Sequence, residues 1–311
     1  MSRDAFRLPM GDPLPGRKRV RGPKSGSLSR RRDGSEQWAS SARPRTAGAA
    51  RHGCAIVQAP MPAEWPASRR SPTRNPHYPD GTRLMQLDYE FLALQEAVNY
   101  RKAILREFSS GLKGEVLEVG CGVGQVSQEL LSCPGITHLT CLEPDSQFLV
   151  EHARNAPGAE LIHGVARDYA TRFTPDCIVS VNVLEHIEDD QEELGLYRRM
   201  LSAREGTLCL LVPACPELYA PIDRKFGHFR RYDQRELRQK LQAAGFKTID
   251  LHYLNSVGYI AWALVFKGLG RTAFDPHSVR FYDRWIFPWV HRLETTLCRP
   301  PRGQSLVALA R

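Results

Sequence analysis

At 311 residues, with 42% hydrophobic and 25% charged residues, the chain holds enough apolar content to bury a core, which excludes a wholly unfolded or fibrous protein. The net charge of +9 first suggests a nucleic-acid partner, but residues 1–83 carry 17 Lys/Arg against 6 Asp/Glu and the remainder has a net charge of −2. The basicity belongs to a segment and not to the fold, which argues against a globule built to grip phosphate.

Residues 1–84 are rich in Arg, Pro, Ser and Gly and show no sustained apolar period. They cannot bury enough surface to offset chain entropy, so a disordered basic tail is expected. Its RKRVRGPK and SRRR runs would suit RNA, DNA or an anionic membrane, or no specific partner. An alternative is that the natural protein begins at Met85 and the upstream residues come from an overlong gene model. No stretch has the layout of a signal peptide, and the longest apolar run, VGYIAWALVF at 257–266, is far short of the about 20 residues of a membrane span. A cytoplasmic protein is expected, with peripheral membrane association as a variant. The eight cysteines include no C-x-x-C pair; Cys121, Cys141, Cys177 and Cys209 lie in apolar runs and are expected as buried thiols.

From residue 85 the pattern alternates. QLDYEFLALQEAVNYRKAILREFSSGL has apolar residues at helical spacing and reads as one or two opening helices. Short apolar runs follow, separated by helical segments: EVLEV, THLTCLE, AELIHG, DCIVSVNV, GTLCLLVPA, KTIDLHYL and SLVALA. This alternation predicts a parallel sheet covered on both faces, a doubly wound α/β domain over residues 85–311. Such sheets bind ligands at the carboxyl ends of strands, where strand order reverses. The first strand runs straight into Gly120, Gly122 and Gly124. Glycines there admit positive φ and let backbone N–H groups approach a ligand with no Cβ in the way. A tight turn with no ligand is the plainer alternative.

The dinucleotide pattern G-x-G-x-x-G would need glycine at 125, where Gln125 stands. The stretch E-V-G-C-G-V-G, 118–124, instead resembles motif I of the class I S-adenosylmethionine-dependent methyltransferases. The second strand ends in Glu143, 23 residues past Gly120, where an acid can accept hydrogen bonds from both ribose hydroxyls. DCIVSVNVLEHIEDD resembles the fourth strand of that family and its loop, LYAPIDRKFGHFRRYDQREL the segment after the fifth strand in a bacterial subgroup, and GQSLVALAR the last strand. The likeness covers roughly 89–311.

This resemblance implies a Rossmann-like seven-stranded sheet with its last strand antiparallel, and S-adenosyl-L-methionine as cofactor. It implies that Gly120, Gly122 and Gly124 face the methionine and ribose part, that Glu118 holds the amino group directly or through water, and that Glu143 binds the ribose. Asn182 and Val183 would lie beside the methionine moiety. Many relatives carry an adenine-binding acid soon after the third strand; Val165 stands there, and Asp168 is the candidate substitute.

Because the sulfonium is already activated, alignment supplies much of the acceleration, and a base is needed only for a hydroxyl or similar acceptor. His186, just beyond the fourth strand, is the first candidate for that base, with a structural role as the alternative. The group GHFRRYD, 227–233, adds His228 as a second catalytic candidate and Arg231 and Tyr232 as candidates to orient a polar or anionic acceptor. In the other reading Arg231 and Tyr232 pin the loop while Asp233 caps the next helix. EDDQEEL at 188–194 reads as an acid-rich helix start, and no metal is expected.

Residues 255–304 hold Trp262, Phe266, Phe274, Phe281, Tyr282, Trp285, Phe287 and Trp289. They are expected to form a helical insertion that closes over the substrate as a lid. Docking on a membrane through 255–271, with Lys267 and Arg271, and a packed cap without substrate contact are the alternatives. The sequence thus predicts a methyltransferase acting on a small-molecule or lipid- or sugar-linked acceptor, at oxygen. A nucleic-acid methyltransferase gripping phosphate with the basic arm is a second reading; the −2 charge of the folded part and the lack of an N-P-P-Y/F motif after the fourth strand weigh against it. A non-catalytic cofactor-binding partner protein is the third. The oligomeric state is not specified by the sequence.

Overall fold

The computed structural model describes residues 95–311. The expectations for residues 1–84, and for the start of the opening helical region, lie outside the described residues. The strands are β1 (Gly114–Val119), β2 (Ile136–Glu143), β3 (Glu160–His163), β4 (Cys177–Val181), β5 (Thr207–Pro213), β6 (Ile249–Leu254) and β7 (Ser305–Ala310). They form one sheet in the order β3-β2-β1-β4-β5-β7-β6, with β7 antiparallel to both β5 and β6 and the other pairs parallel. Each matches one of the seven apolar runs. The order reverses between β1 and β4, because the chain leaves β1 toward β2 and β3 and returns on the other side.

The helices are α1 (Val98–Phe108), α2 (Gln125–Leu130), α3 (Ser146–Asn155), α4 (Ala166–Tyr169), α5 (Asp190–Leu201), α6 (Pro221–Lys225), α7 (Gln234–Ala243), α8 (Ser256–Trp262), α9 (Pro276–Phe281) and α10 (Phe287–Thr296). Consecutive strand residues alternate between two cores. Val116, Cys141, Leu161, Cys177 and Cys209 pack under Ile104 and Phe108 of α1, Leu130 of α2 and Leu149 of α3. Leu117, Leu142, Ile162, Ile178 and Leu208 pack under Leu194 and Tyr197 of α5 and Leu237 and Leu241 of α7. Burial on both faces explains why these strands read as unbroken apolar runs. The four thiols are buried, as the sequence suggested.

The acid-rich EDDQEEL stretch opens α5: Asp189 is its cap and accepts the Glu192 N–H at 2.9 Å. Asp233 caps α7 in the same way, accepting the Glu236 N–H at 2.7 Å. These side-chain acceptors satisfy amides that the first helical turn leaves open.

Residues 255–304 are helical and tied to the sheet domain by buried carboxylates. Glu294 accepts the backbone N–H groups of Asn255 and Ser256 at 2.9 and 2.6 Å, and Asp283 accepts those of Asn99 and Tyr100, both at 2.9 Å. Glu107 of α1 is hydrogen-bonded to His252 of β6 and His291 of α10, each at 3.1 Å. The His252 bond first and the His291 bond second hold its carboxyl far below the usual range, at about 2. Two π-helical turns, Ala263–Gly268 and Tyr282–Ile286, interrupt the insertion's helices. No helix among the described residues is long and apolar enough to cross a membrane.

Candidate functional site

The loop after β1 is built on glycine. Gly120, Gly122 and Gly124 have φ of 72°, 53° and 81°. A Cβ on Gly120 would lie 2.5 Å from Cγ2 of Val183, and one on Gly124 would lie 2.9 Å from Cδ2 of His152. The turn is therefore closed to side chains both by conformation and by its neighbours.

Glu143, the last residue of β2, is clasped to this turn. Its Oε2 accepts the Gly122 N–H and its Oε1 the Asp145 N–H, both at 2.8 Å. Burial raises its pKa, and the two amides work against that rise. Glu118 faces elsewhere. It is 3% exposed, and its Oε2 accepts from Ser127 Oγ at 2.6 Å and from Cys141 Sγ at 3.4 Å. Ser127 Oγ lies 2.9 Å from His152 Nε2, which completes a polar nest beneath the turn. Burial pushes the Glu118 carboxyl up to about 7. A carboxyl enclosed in this way supports the turn from below through Ser127 and Cys141.

Asn182 and Val183 follow β4 across the order reversal. Asn182 has φ of 53° and donates its N–H to Leu211 O at 2.9 Å, while Val183 packs on Gly120. Glu185 and His186 come next, in a short 3-10 turn, Leu184–His186. The His186 and His228 rings meet edge to face with centroids 4.7 Å apart. His186 is exposed at the residue level, but its ring is crowded; desolvation first and His228 second push its pKa down. Asp168 is exposed on α4, which follows β3; Gly164, between the two, donates its N–H to Glu143 O at 3.0 Å.

His228 is held by Asp223, whose Oδ1 lies 3.1 Å from Nδ1. The same Oδ1 accepts from Arg231 Nε at 2.8 Å, and Arg231 Nη1 donates to Ala214 O at 3.2 Å. Burial alone would raise the Asp223 pKa; the bond from His228 and the charge of Arg231 outweigh it and hold it down. The guanidinium stacks 4.2 Å from the centroid of the Trp262 ring. Tyr232 corrects the sequence reading. It is 0% exposed, and its hydroxyl donates to Asp190 Oδ2 at 2.9 Å, so it pins the loop to α5 and presents no surface to an acceptor.

A cavity of about 680 Å³ opens at the carboxyl ends of β4 and β5. Asn182, Glu185, His228 and Arg231 are among its polar lining, with Asn255, Asp275 and Gln304, and Trp262, Phe266, Phe274 and Phe287 are among its apolar lining. Of the insertion's aromatics, Trp262, Phe266 and Phe287 are buried, whereas Phe281, Trp285 and Trp289 are 60%, 60% and 67% exposed. Asn182 lines the cavity, and its neighbour Val183 packs on Gly120 of the glycine turn. Sequence reasoning missed Glu185 and Asp223. Both stood in quoted segments, LEHIEDD and PIDRK, but only the fold brings them to His228.

A family model described as methyltransferase domain matches residues 92–251 and ends before the helical insertion. None of the curated proteins matches the chain. Solved structures are similar at low identity. A SAM-dependent methyltransferase from Archaeoglobus fulgidus is 14% identical, covering 74% of this chain and 99% of its own, with a TM-score of 0.45. The plantazolicin methyltransferase BamL, in complex with a triazolic desmethylPZN analog and SAH, is 16% identical over 75% of this chain and 91% of its own, with a TM-score of 0.49. Phosphoethanolamine N-methyltransferase 2 from Haemonchus contortus, in complex with S-adenosyl-L-methionine, is 15% identical over 68% and 52%, with a TM-score of 0.44.

Proposed function

The chain belongs to the methyltransferase-domain family, and on that footing we propose that it transfers a methyl group from S-adenosyl-L-methionine to a hydroxyl of an amphipathic small-molecule or lipid- or sugar-linked acceptor. When bound, the cofactor supplies a sulfonium-activated methyl group. The residues present fit it: three positive-φ glycines free of side chains, with the Glu143 carboxylate held against Gly122 and able to take ribose hydroxyls on its remaining lone pairs. Gly120, Gly122, Gly124 and Glu143 would hold the nucleoside and methionine parts, with Asn182 and Val183 at the reactive end. Asp168, exposed on α4 after β3, would take the adenine amino group.

The cavity carries the acceptor half of this reading. Its apolar wall excludes water and grips an apolar or ring-bearing body, while His228, Glu185 and Arg231 meet a polar end. His228 Nε2, the nitrogen opposite the Asp223 bond, would take a proton from an acceptor hydroxyl, a role supported by the Asp223 contact on Nδ1 and the His186 ring against it. Arg231 is committed to Asp223 and Ala214 and offers the acceptor its guanidinium only at the cavity face. Outside the cavity, exposed Ile260, Leu264 and Leu269 lie in sequence beside Lys267 and Arg271. That composition supports delivery of the acceptor from a membrane surface.

Calorimetric titration of S-adenosylmethionine and its demethylated product into the full chain tests the cofactor half. Micromolar binding that Glu143→Ala abolishes is expected. Failure to bind in a folded sample overturns the reading. Turnover that persists at high salt separates a neutral acceptor from a nucleic acid.

A further inference from the structure

The polar end of the cavity holds more than a proton acceptor. Glu185, His186 and His228 present one carboxylate oxygen and two ring nitrogens that all lie within 4.8 Å of one another. His228 is 9% exposed, and its Nε2 is buried without a hydrogen-bond partner. That nitrogen lies 3.9 Å from Glu185 Oε1, beyond a hydrogen bond. Donor atoms around a cation with bonds of about 2.1 Å stand roughly 3 to 4 Å apart, so this spacing suits a shared ion. Asp223 on Nδ1 is the second feature. It leaves the lone pair on Nε2 and fixes the ring, as carboxylates do behind metal-binding histidines.

We propose that Glu185, His186 and His228 bind one divalent first-row transition-metal cation at the cavity floor, with Asp223 positioning His228. Two imidazoles and a carboxylate favour such an ion over magnesium or calcium, which take oxygen ligands. Three protein ligands leave coordination positions for a ligand in the cavity, which Glu185 and His228 both line. With the ion bound, Nε2 of His228 is a ligand and no longer a base; an acceptor hydroxyl bound there would instead give up its O–H proton to solvent water, because the cation stabilises the oxygen anion left behind. The acceptor class is thereby narrowed to molecules that offer a coordinating hydroxyl or two neighbouring oxygens. The metal site itself stands on the geometry of these side chains and not on the methyl-transfer reading.

The test is titration of tag-free, chelator-stripped full chain with Co²⁺, followed by visible absorption, with no cofactor added. One equivalent is expected to bind with ligand-field bands and no thiolate charge-transfer band. His186→Ala, at an exposed residue, should weaken binding at least about tenfold, and Asp223→Asn by roughly 10- to 100-fold. Absence of saturable binding, or unchanged affinity in His186→Ala, overturns the proposal. A thiolate band also overturns it, by placing the ion at the buried Cys121, Cys141 and His152 group. Since binding is read without cofactor, failure of methyl transfer leaves this result standing on its own.

Discussion

Replacing Gly120 with alanine tests how the β1 turn is closed by the loop after β4. Gly120 has φ of 72°, and a Cβ in the left-handed region costs about 1–2 kcal/mol. The added methyl would lie 2.5 Å from Val183 Cγ2 and 3.3 Å from Cγ1, an overlap that costs roughly 1–3 kcal/mol. The full loss is then about 2–5 kcal/mol, divided into a backbone share that persists and a steric share that a smaller neighbour relieves. Urea unfolding of the wild type, Gly120→Ala, Val183→Ala and the double variant separates the two shares. In the Val183→Ala background the glycine substitution should cost about 1–3 kcal/mol less, with unchanged m-values. An equal cost in both backgrounds would refute the packing of Val183 on the turn. A cost near zero in both would refute the left-handed backbone.

Two further substitutions probe the scaffold around the cavity. Tyr232→Phe removes a buried bond to the Asp190 carboxylate and should lower stability by about 1.5–3 kcal/mol without altering cofactor affinity; an unchanged urea midpoint would show that the hydroxyl holds nothing. Glu107 has a carboxyl held at about 2 in the folded chain, against about 4.3 when unfolded. Its depressed value adds stability above the unfolded pKa and loses it as pH falls from about 4 toward 2. Glu107→Gln should flatten the fall of the unfolding midpoint in that window, and a profile parallel to the wild type would sink the assignment.

The sheet was legible because its strands are covered on both faces. Leu208 to Val212 are all 0% exposed, and a strand buried on both sides leaves a continuous apolar run in the sequence. The glycine turn and Glu143 were legible for a related reason, since backbone chemistry at a strand end fixes residue type and spacing. Side-chain direction was not legible. Glu118 stands two residues before Gly120, and only the fold shows that its position in β1 turns its carboxyl into the nest with Ser127 and Cys141. Tyr232 and Arg231 are adjacent, and the chain sends one into the α5 contact and the other to the cavity. In residues 255–304 composition gave the aromatic content but not its division into inner and outer faces. The two π turns shift the helical register, so no single period runs through the insertion.

β7 lies between β5 and β6, pairing Leu210 with Ala308 on one side and Leu251 with the same Ala308 on the other. On a ribosome, β5 and β6 are therefore made long before the strand that joins them. Until residues 305–310 emerge, the edge of β5 carries unpaired amides beside a run of fully apolar side chains. Such an edge can template pairing with another nascent chain. The helices of the intervening segment are synthesised during that interval, before the sheet can close. Closure of the sheet thus waits on a late, long-range pairing, and the speed at which those residues are translated sets how long the open edge is at risk.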